Sequence, residues 1–309
     1  MHLPVMVTEV VDYLVTRTNG VYVDCTVGGG GHARAILLNA PAGRLVGLDL
    51  DESALDEAGR SLREFGGRYE LAHGNFASLA AILSDRGHSQ VDGVLFDLGF
   101  SSLQLDDPDR GLSYSSEGPI DMRFDRTAGE AARSLISHMS ERRLADVLFE
   151  YGEEKRSHPI ARSIIEARDS GKLDTTSDLA RAVEATKPAR RNKTLSRVFQ
   201  ALRIAVNGEL ENIASGLREA VDVLRPGGRV VVISYHSLED RLTKRYFAKC
   251  EKPCTCPREL PVCTCGAVPT LRVLTRRVVT PSAAETAKNS RSRSAKLRAA
   301  ERLAEGEEP

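Results

Sequence analysis

The sequence predicts an α/β chain: a doubly wound, mostly parallel sheet with an inserted all-α domain. Three observations carry this expectation. Four short apolar runs, at 21–25, 44–49, 68–72 and 91–97, alternate with helical patterns, which is the rhythm of βαβ units. From about Asp106 to Gly208 no strand-like run occurs, only helical patterns at 127–137, 140–150, 159–169, 176–186 and 194–206. A fifth apolar run at 229–234 resumes the sheet after a helix over 208–224. The expected division is a sheet domain from 1–106 and 208–309, and a helical insertion over 107–207.

The first run continues as Val21-Tyr-Val-Asp-Cys-Thr-Val-Gly-Gly-Gly-Gly-His32: a buried strand, a glycine loop and a helix starting near His32. Glycines in such a loop let a ligand touch the backbone. The second run, Arg44-Leu-Val-Gly-Leu-Asp49, ends in a carboxylate, the position from which an acid binds ribose hydroxyls in open α/β sheets. Asp51-Glu-Ser-Ala-Leu-Asp-Glu-Ala58 opens the next helix with acids in its first turn, where the helix dipole favours them. The third run leads into His73-Gly-Asn-Phe76, placing Asn75 and Phe76 where an adenine ring would lie, although core packing is the plainer role for the phenyl ring. The fourth ends in Asp97-Leu-Gly-Phe-Ser-Ser102, at the sheet rim where chemistry belongs. Leu271 to Thr280 alternates apolar and polar residues and suits a sheet edge, while 285–309, rich in Ala, Ser, Arg and Glu, should fray.

A composition of 41% hydrophobic and 28% charged residues is that of a globular protein. No apolar run approaches the ~18 residues of a membrane span, and no secretory pattern opens the chain, so a cytosolic protein is expected. The formal net charge is zero, but it is unevenly spread. Residues 1–125 carry 19 acids against 9 Arg, whereas 241–298 carry 14 Lys and Arg against 3 Glu. Lys187, Arg190, Arg191, Lys193, Arg197 and Arg203 cluster with no acid in 187–203. Such patches suit a phosphate-backbone partner, with Lys193, Arg197 and Arg203 as expected contacts; a solvated helix face is the bland alternative.

Gly28-x-Gly30-x-x-Ala33 fits a relaxed dinucleotide fingerprint, a weak match on its own. The glycines are contiguous, however, and no second mononucleotide-binding half follows. Leu224-Arg-Pro-Gly-Gly-Arg-Val-Val-Val-Ile233 and the late edge strand resemble the fifth strand and terminal hairpin of class I (Rossmann-like) methyltransferases. S-adenosylmethionine is therefore expected rather than a nicotinamide cofactor.

Four longer motifs sharpen this. Asp97-Leu-Gly-x-Ser-Ser-x-Gln-Leu-Asp106, Gly118-Pro-Ile-Asp-Met-Arg123, Arg197-Val-Phe-Gln-Ala-Leu-Arg-Ile-Ala-Val-Asn-Gly-Glu-Leu210 and Ser234-Tyr-His-Ser-Leu-Glu-Asp-Arg241 occur in this order, after an opening His2-Leu-Pro-Val. Together they resemble the bacterial 16S ribosomal RNA cytosine-N4 methyltransferase family, from residue 2 to about 300. The resemblance implies methylation of the exocyclic amine of a cytidine in the decoding centre of 16S rRNA, within the small ribosomal subunit. It places cofactor contacts on Gly30, Gly31, His32, Asp49, Phe76, Asp97 and Gln104. The residues themselves point to the first five; Gln104 comes from the resemblance alone.

A cytosine N4 amine is a poor nucleophile because its lone pair is delocalised into the ring. The site must accept its hydrogens, so that the lone pair faces the methyl group, and must hold donor and acceptor in line. Candidates for this work and for taking the proton are Asp97, Ser101, Ser102, Asp121 and His236. The Asp/Asn/Ser-Pro-Pro-aromatic motif of many amino-methyltransferases is replaced here by Asp97-Leu-Gly-Phe-Ser-Ser102, so the acceptor groups must be arranged differently. Two other functions are compatible with the same fold: a small-molecule or protein methyltransferase, and a non-enzymatic rRNA-binding assembly factor. Oligomeric state is left open, a homodimer being one option. Cys25 reads as a small apolar residue. Cys250, Cys254, Cys256, Cys263 and Cys265 crowd together, but Cys-x-Cys is tighter than the usual gap in zinc sites, so thiols in a surface loop without metal are expected.

Overall fold

In the computed structural model, which describes residues 4–257 and 264–308 and only the backbone of 102 and 103, seven strands form one sheet. They are β1 (Val21–Asp24), β2 (Arg44–Asp49), β3 (Tyr69–His73), β4 (Val91–Asp97), β5 (Leu224–Ser234), β6 (Leu271–Val273) and β7 (Lys296–Arg302), in the order β3-β2-β1-β4-β5-β7-β6. The first five are parallel, and β7 runs antiparallel to both β5 and β6. The buried stretches of β1, β2 and β4, and residues 230–233 of β5, are mostly apolar because both faces are covered. Alternate residues serve opposite cores: Val23, Val46, Val94 and Val232 pack on one face, and Tyr22, Leu45, Leu95 and Val231 on the other. Helices α1 (Val7–Leu14), α2 (Gly31–Asn39), α3 (Glu52–Ser61) and α4 (Leu79–Ser84) accompany the first four strands.

The chain divides into two compact units, 1–99 with 210–309, and 100–209. The division falls a few residues from the 106/107 and 207/208 boundaries expected. A buried arginine accounts for the shift. Arg203 is held by both carboxylate oxygens of Glu209, at 2.7 and 3.0 Å, and its guanidinium lies 4.8 Å from the centre of the Phe100 ring. Phe100 and Glu209 thus belong with the helical unit.

That unit holds α5 (Ser102–Asp106), α6 (Ala132–His138), α7 (Glu141–Glu150), α8 (Ser157–Asp169), α9 (Thr176–Ala185) and α10 (Arg191–Asn207), with its own core around Leu144, Leu148, Ile164, Val183, Val198 and Leu202. Helix α6 starts five residues later than 127, because Gly129 has a φ of +75° that no right-handed helix contains. Helix α9 opens with a reciprocal Thr175–Asp178 capping box.

The carboxyl-terminal region departs from expectation. Helix α11 (Glu209–Val223) leads into β5, and α12 (Ser237–Glu251) follows it. The edge strand expected over 271–280 is only three residues long, with an isolated bridge from Val279 to Leu297. After α13 (Ala283–Lys288), the tail expected to fray instead supplies β7, seated between β5 and β6. Lys296-Leu-Arg-Ala-Ala-Glu-Arg302 has a helix-like composition, and pairing with β5 overrides it. Leu297, Ala299 and Ala300 are fully buried, Lys296 and Arg298 both bind Asp240, and Glu301 bridges Arg229 and Arg272.

Candidate active site

The sheet unit gathers acidic and aromatic groups at the carboxyl ends of β1, β2, β4 and β5. Asp24 ends β1 and is 1% exposed. One of its oxygens accepts from the Thr26 amide at 3.2 Å, while Oδ2 has no hydrogen-bond partner among the described residues. Burial pushes its carboxyl up to about 7, against the lowering influence of His32. At the end of β2, Asp49 accepts from the Gly28 amide at 2.9 Å and the Asp51 amide at 3.0 Å. These bonds aim a carboxylate across the glycine loop, and burial raises it to about 6.

Within that loop Gly30 has a φ of +83°, and a Cβ there would lie 3.3 Å from the Ala58 Cα, so only glycine fits. Gly31 begins α2 against the Pro4 ring, which a Cβ would meet at 3.0 Å. His32, in the first turn of α2, is 5% exposed, with Nε2 3.4 Å from Asp97 Oδ2. At 3.4 Å the contact is looser than a well-formed hydrogen bond, and it is an ion pair when the imidazole is protonated. Burial opposes its charge, yet Asp97 and then Asp24 outweigh burial and raise the imidazole above its usual value. Nδ1 of the same ring has no hydrogen-bond partner among the described residues.

Asp97 ends β4 and is held on three sides. Its amide donates to Thr26 Oγ1 at 2.7 Å, Oδ1 accepts from the Tyr235 hydroxyl at 2.8 Å, and Oδ2 faces His32. Burial and then the adjacent carboxylate push the Tyr235 phenol far up, so it stays a neutral donor. Glu239, fully buried in the first turn of α12, accepts from the Tyr235 and His236 amides at 2.7 and 3.1 Å. Its other oxygen lies 3.1 Å from His236 Nε2. This network fixes the turn after β5 that carries Tyr235 and His236.

Asp24, Tyr235 and Glu239 were not among the residues expected from sequence. Asp24 gave a signal, a carboxyl closing the apolar run Val21-Tyr-Val, whereas Tyr235 and Glu239 sat unremarked inside a motif. Phe76, expected against an adenine face, is half-buried. It meets Phe96 edge-on with ring centres 5.3 Å apart and backs onto Gly216, where a Cβ would come within 2.6 Å of the ring.

In the helical unit, Ser101 and Gln104 form a reciprocal cap on α5: the Ser101 amide donates to Gln104 Oε1 at 2.9 Å, and the Gln104 amide to Ser101 Oγ at 3.2 Å. The Ser102 side chain lies outside the described residues. Asp121 grips Arg123 through both carboxylate oxygens, at 2.8 and 2.9 Å; burial raises its carboxyl, but Arg123 more than reverses this and leaves it low, a poor base. The basic face also needs correcting. Arg203 is 7% exposed and committed to Glu209, and Arg197 lies 3.4 Å from buried Glu154. Of the three expected phosphate contacts Lys193 alone is exposed, because α10 turns the other two toward internal carboxylates.

The profile of the MraW methylase family matches residues 1–303. The chain is 49% identical to a ribosomal RNA small subunit methyltransferase H of Thermomicrobium roseum over 306 residues, covering 98% of this chain and 94% of that one. It is 47% identical to the protein of the same description from Symbiobacterium thermophilum, covering 99% and 98%. The methyl donor for such a methylase is S-adenosylmethionine, and the rim suits it. Three carboxyls, Asp24, Asp49 and Asp97, would complement a cationic donor, and two buried polar atoms, Asp24 Oδ2 and His32 Nδ1, lack hydrogen-bond partners among the described residues that a ligand would supply. Matched along nearly its whole length, the chain belongs to the MraW methylase family.

Proposed function

We propose that this methylase transfers a methyl group from S-adenosylmethionine to the exocyclic N4 of a specific cytidine in the decoding centre of 16S rRNA, in the cytoplasm. The observation that carries the reading is Asp97, a carboxylate 23% exposed and oriented by Tyr235 and His32. It stands at the head of the Asp97-Leu-Gly-Phe-Ser-Ser102 motif that resembles the cytosine-N4 enzymes. The names of the relatives, which specify rRNA of the small subunit, support the substrate class.

The bound donor supplies an electrophilic methyl group on a positively charged sulfur. Asp49 accepts the ribose hydroxyls, held in aim by the Gly28 and Asp51 amides. The loop at Gly30 and Gly31 admits the ligand against the backbone, the half-buried Phe76 ring packs on the adenine, and Asp24 with His32 receives the polar tail. Gln104 joins this set on the resemblance alone.

On the acceptor side, Asp97 accepts an N4–H of the cytosine, which turns the nitrogen lone pair toward the methyl group. Fixing reactants in this way supplies several kcal/mol of the barrier. Once the methyl group has moved, N4 carries an acidic proton, which passes to Asp97. In the sheet unit His236 is a further candidate acceptor of a hydrogen bond from the base; Ser101 and Ser102 stay candidates by their place in the sequence motif alone. Asp121 serves by anchoring Arg123 instead. Reading an unpaired cytidine requires its extrusion from the stack, and the exposed Lys193 and the basic carboxyl-terminal third provide phosphate contacts.

The decisive experiment incubates the protein with labelled methyl donor and undermethylated small subunits, then maps the product by mass spectrometry. N4-methylcytidine at one position of 16S rRNA is expected. Label at another atom, or on a small molecule or protein, overturns the proposal. Donor binding without turnover on small subunits favours a non-enzymatic assembly factor.

A further inference from the structure

Residues 252–270, between α12 and β6, contain no helix or strand among their described positions, and none of those positions is buried. So long a connection, with no buried residue among the described ones, needs another source of order. It nonetheless brings three thiols together: the Sγ atoms of Cys254, Cys256 and Cys265 all lie within 4.8 Å of one another. The two limbs of the connection also meet where Cys256 Sγ lies 3.8 Å from Thr264 Oγ1. In the sequence these positions belong to two Cys-Thr-Cys triplets, at 254–256 and 263–265, followed by Pro257 and Gly266; Cys263 lies outside the described residues.

From this convergence we infer that Cys254, Cys256 and Cys265 are thiolate ligands of a zinc ion that clips the connection between α12 and β6. Tetrahedral zinc with Zn–S bonds of ~2.3 Å sets its sulfurs roughly 3.8 Å apart, so the sulfurs need close by an ångström or less. The short Cys-x-Cys spacing argues against zinc only if the segment is helical. In extended chain, residues two apart share a face, so Cys254 and Cys256 converge from one limb while Cys265 arrives from the other.

Charge also fits. Three thiolates concentrate negative charge, and residues 241–298 carry 14 Lys and Arg against 3 Glu, cationic side chains that complement it. Each thiol releases its proton to solvent as a Zn–S bond forms, so no oxidant takes part. The fourth position of the ion is left to water or a further side chain. Cys25, buried at the end of β1, and Cys250, in α12, stand outside the group. The clip is independent of the methyl-transfer reading.

The test uses the full chain, purified without chelator and dialysed against metal-free buffer. Elemental analysis is expected to find about one zinc per chain. Cys254→Ser with Cys265→Ser should lower that content about tenfold, and Cys250→Ser should leave it unchanged. Cobalt titration of the unaltered apo-protein should give sulfur-to-metal charge-transfer absorption that saturates at about one equivalent and is abolished by zinc. The cobalt experiment needs no variant, so misfolding of the double substitution cannot mask the answer. Absence of zinc together with absence of the cobalt band overturns the inference, as does a thiol titration showing Cys254 and Cys256 joined as a disulfide in freshly purified protein.

Discussion

Asp97 shows how much a single position can be asked to do. Its amide, both carboxylate oxygens and its place at the end of β4 are all specified, by Thr26, Tyr235 and His32. Asp97→Asn keeps the shape but weakens acceptance of an N–H, and should slow single-turnover methyl transfer by about 10²–10⁴-fold. Tyr235→Phe removes one orienting hydrogen bond and should cost about five- to tenfold in the same assay. Protonation supplies a second handle. Asp24 at about 7 and Asp49 at about 6 are neutral in acid and ionise as pH rises. A cationic donor should therefore bind more tightly from about pH 5 to 8 and release protons on binding. Calorimetry in two buffers of different ionisation enthalpy measures that release, and Asp24→Asn should abolish its upper part. Stability has the opposite slope: a raised carboxyl binds its proton more tightly when folded, so folding weakens as pH climbs from the unfolded value of 3.8 toward the raised one.

Among the elements, α10 carries the sharpest lesson. Its cationic residues look alike in sequence but have different partners in space. Glu209→Gln leaves Arg203 with a buried, uncompensated charge and should destabilise the helical unit by about 3–5 kcal/mol in a denaturant titration. Exposed Lys193→Ser should leave stability unchanged, weaken rRNA binding and lower its logarithmic salt slope by about 1. A normal salt slope in that variant removes Lys193 from the RNA surface. The glycine loop is constrained differently. Gly30→Ala forces a left-handed φ on a residue with a Cβ and crowds Ala58, so donor binding should fall along with about 1–2 kcal/mol of stability.

The whole molecule depends on its last strand. β7 lies between β5 and β6 and fills the sheet with Leu297, Ala299 and Ala300, so the sheet cannot close until residues 296–302 are in place. Leu297→Ala should cost about 2–5 kcal/mol, read as a lowered midpoint in chemical denaturation. Removal of 283–309 should abolish cooperative melting altogether, where a frayed tail would be lost without effect.

Local pattern was enough to reveal the five parallel strands, the glycine loop, Asp49 at the end of β2 and the all-helical stretch. Buried strands and amphipathic helices write their periodicity into consecutive residues, and a glycine with φ of +83° must be glycine whatever surrounds it. Pairing between distant segments was not legible. The helix-like composition of Lys296–Arg302 hid a strand that β5 imposes, and although Glu209 follows Arg203 by six residues, the spacing alone did not show that the two pair in the interior. Asp24, His32, Asp97 and Tyr235 are scattered over more than two hundred positions. They meet because β1 lies beside β4 and β4 beside β5, and that adjacency belongs to the packed sheet, not to any stretch of the chain.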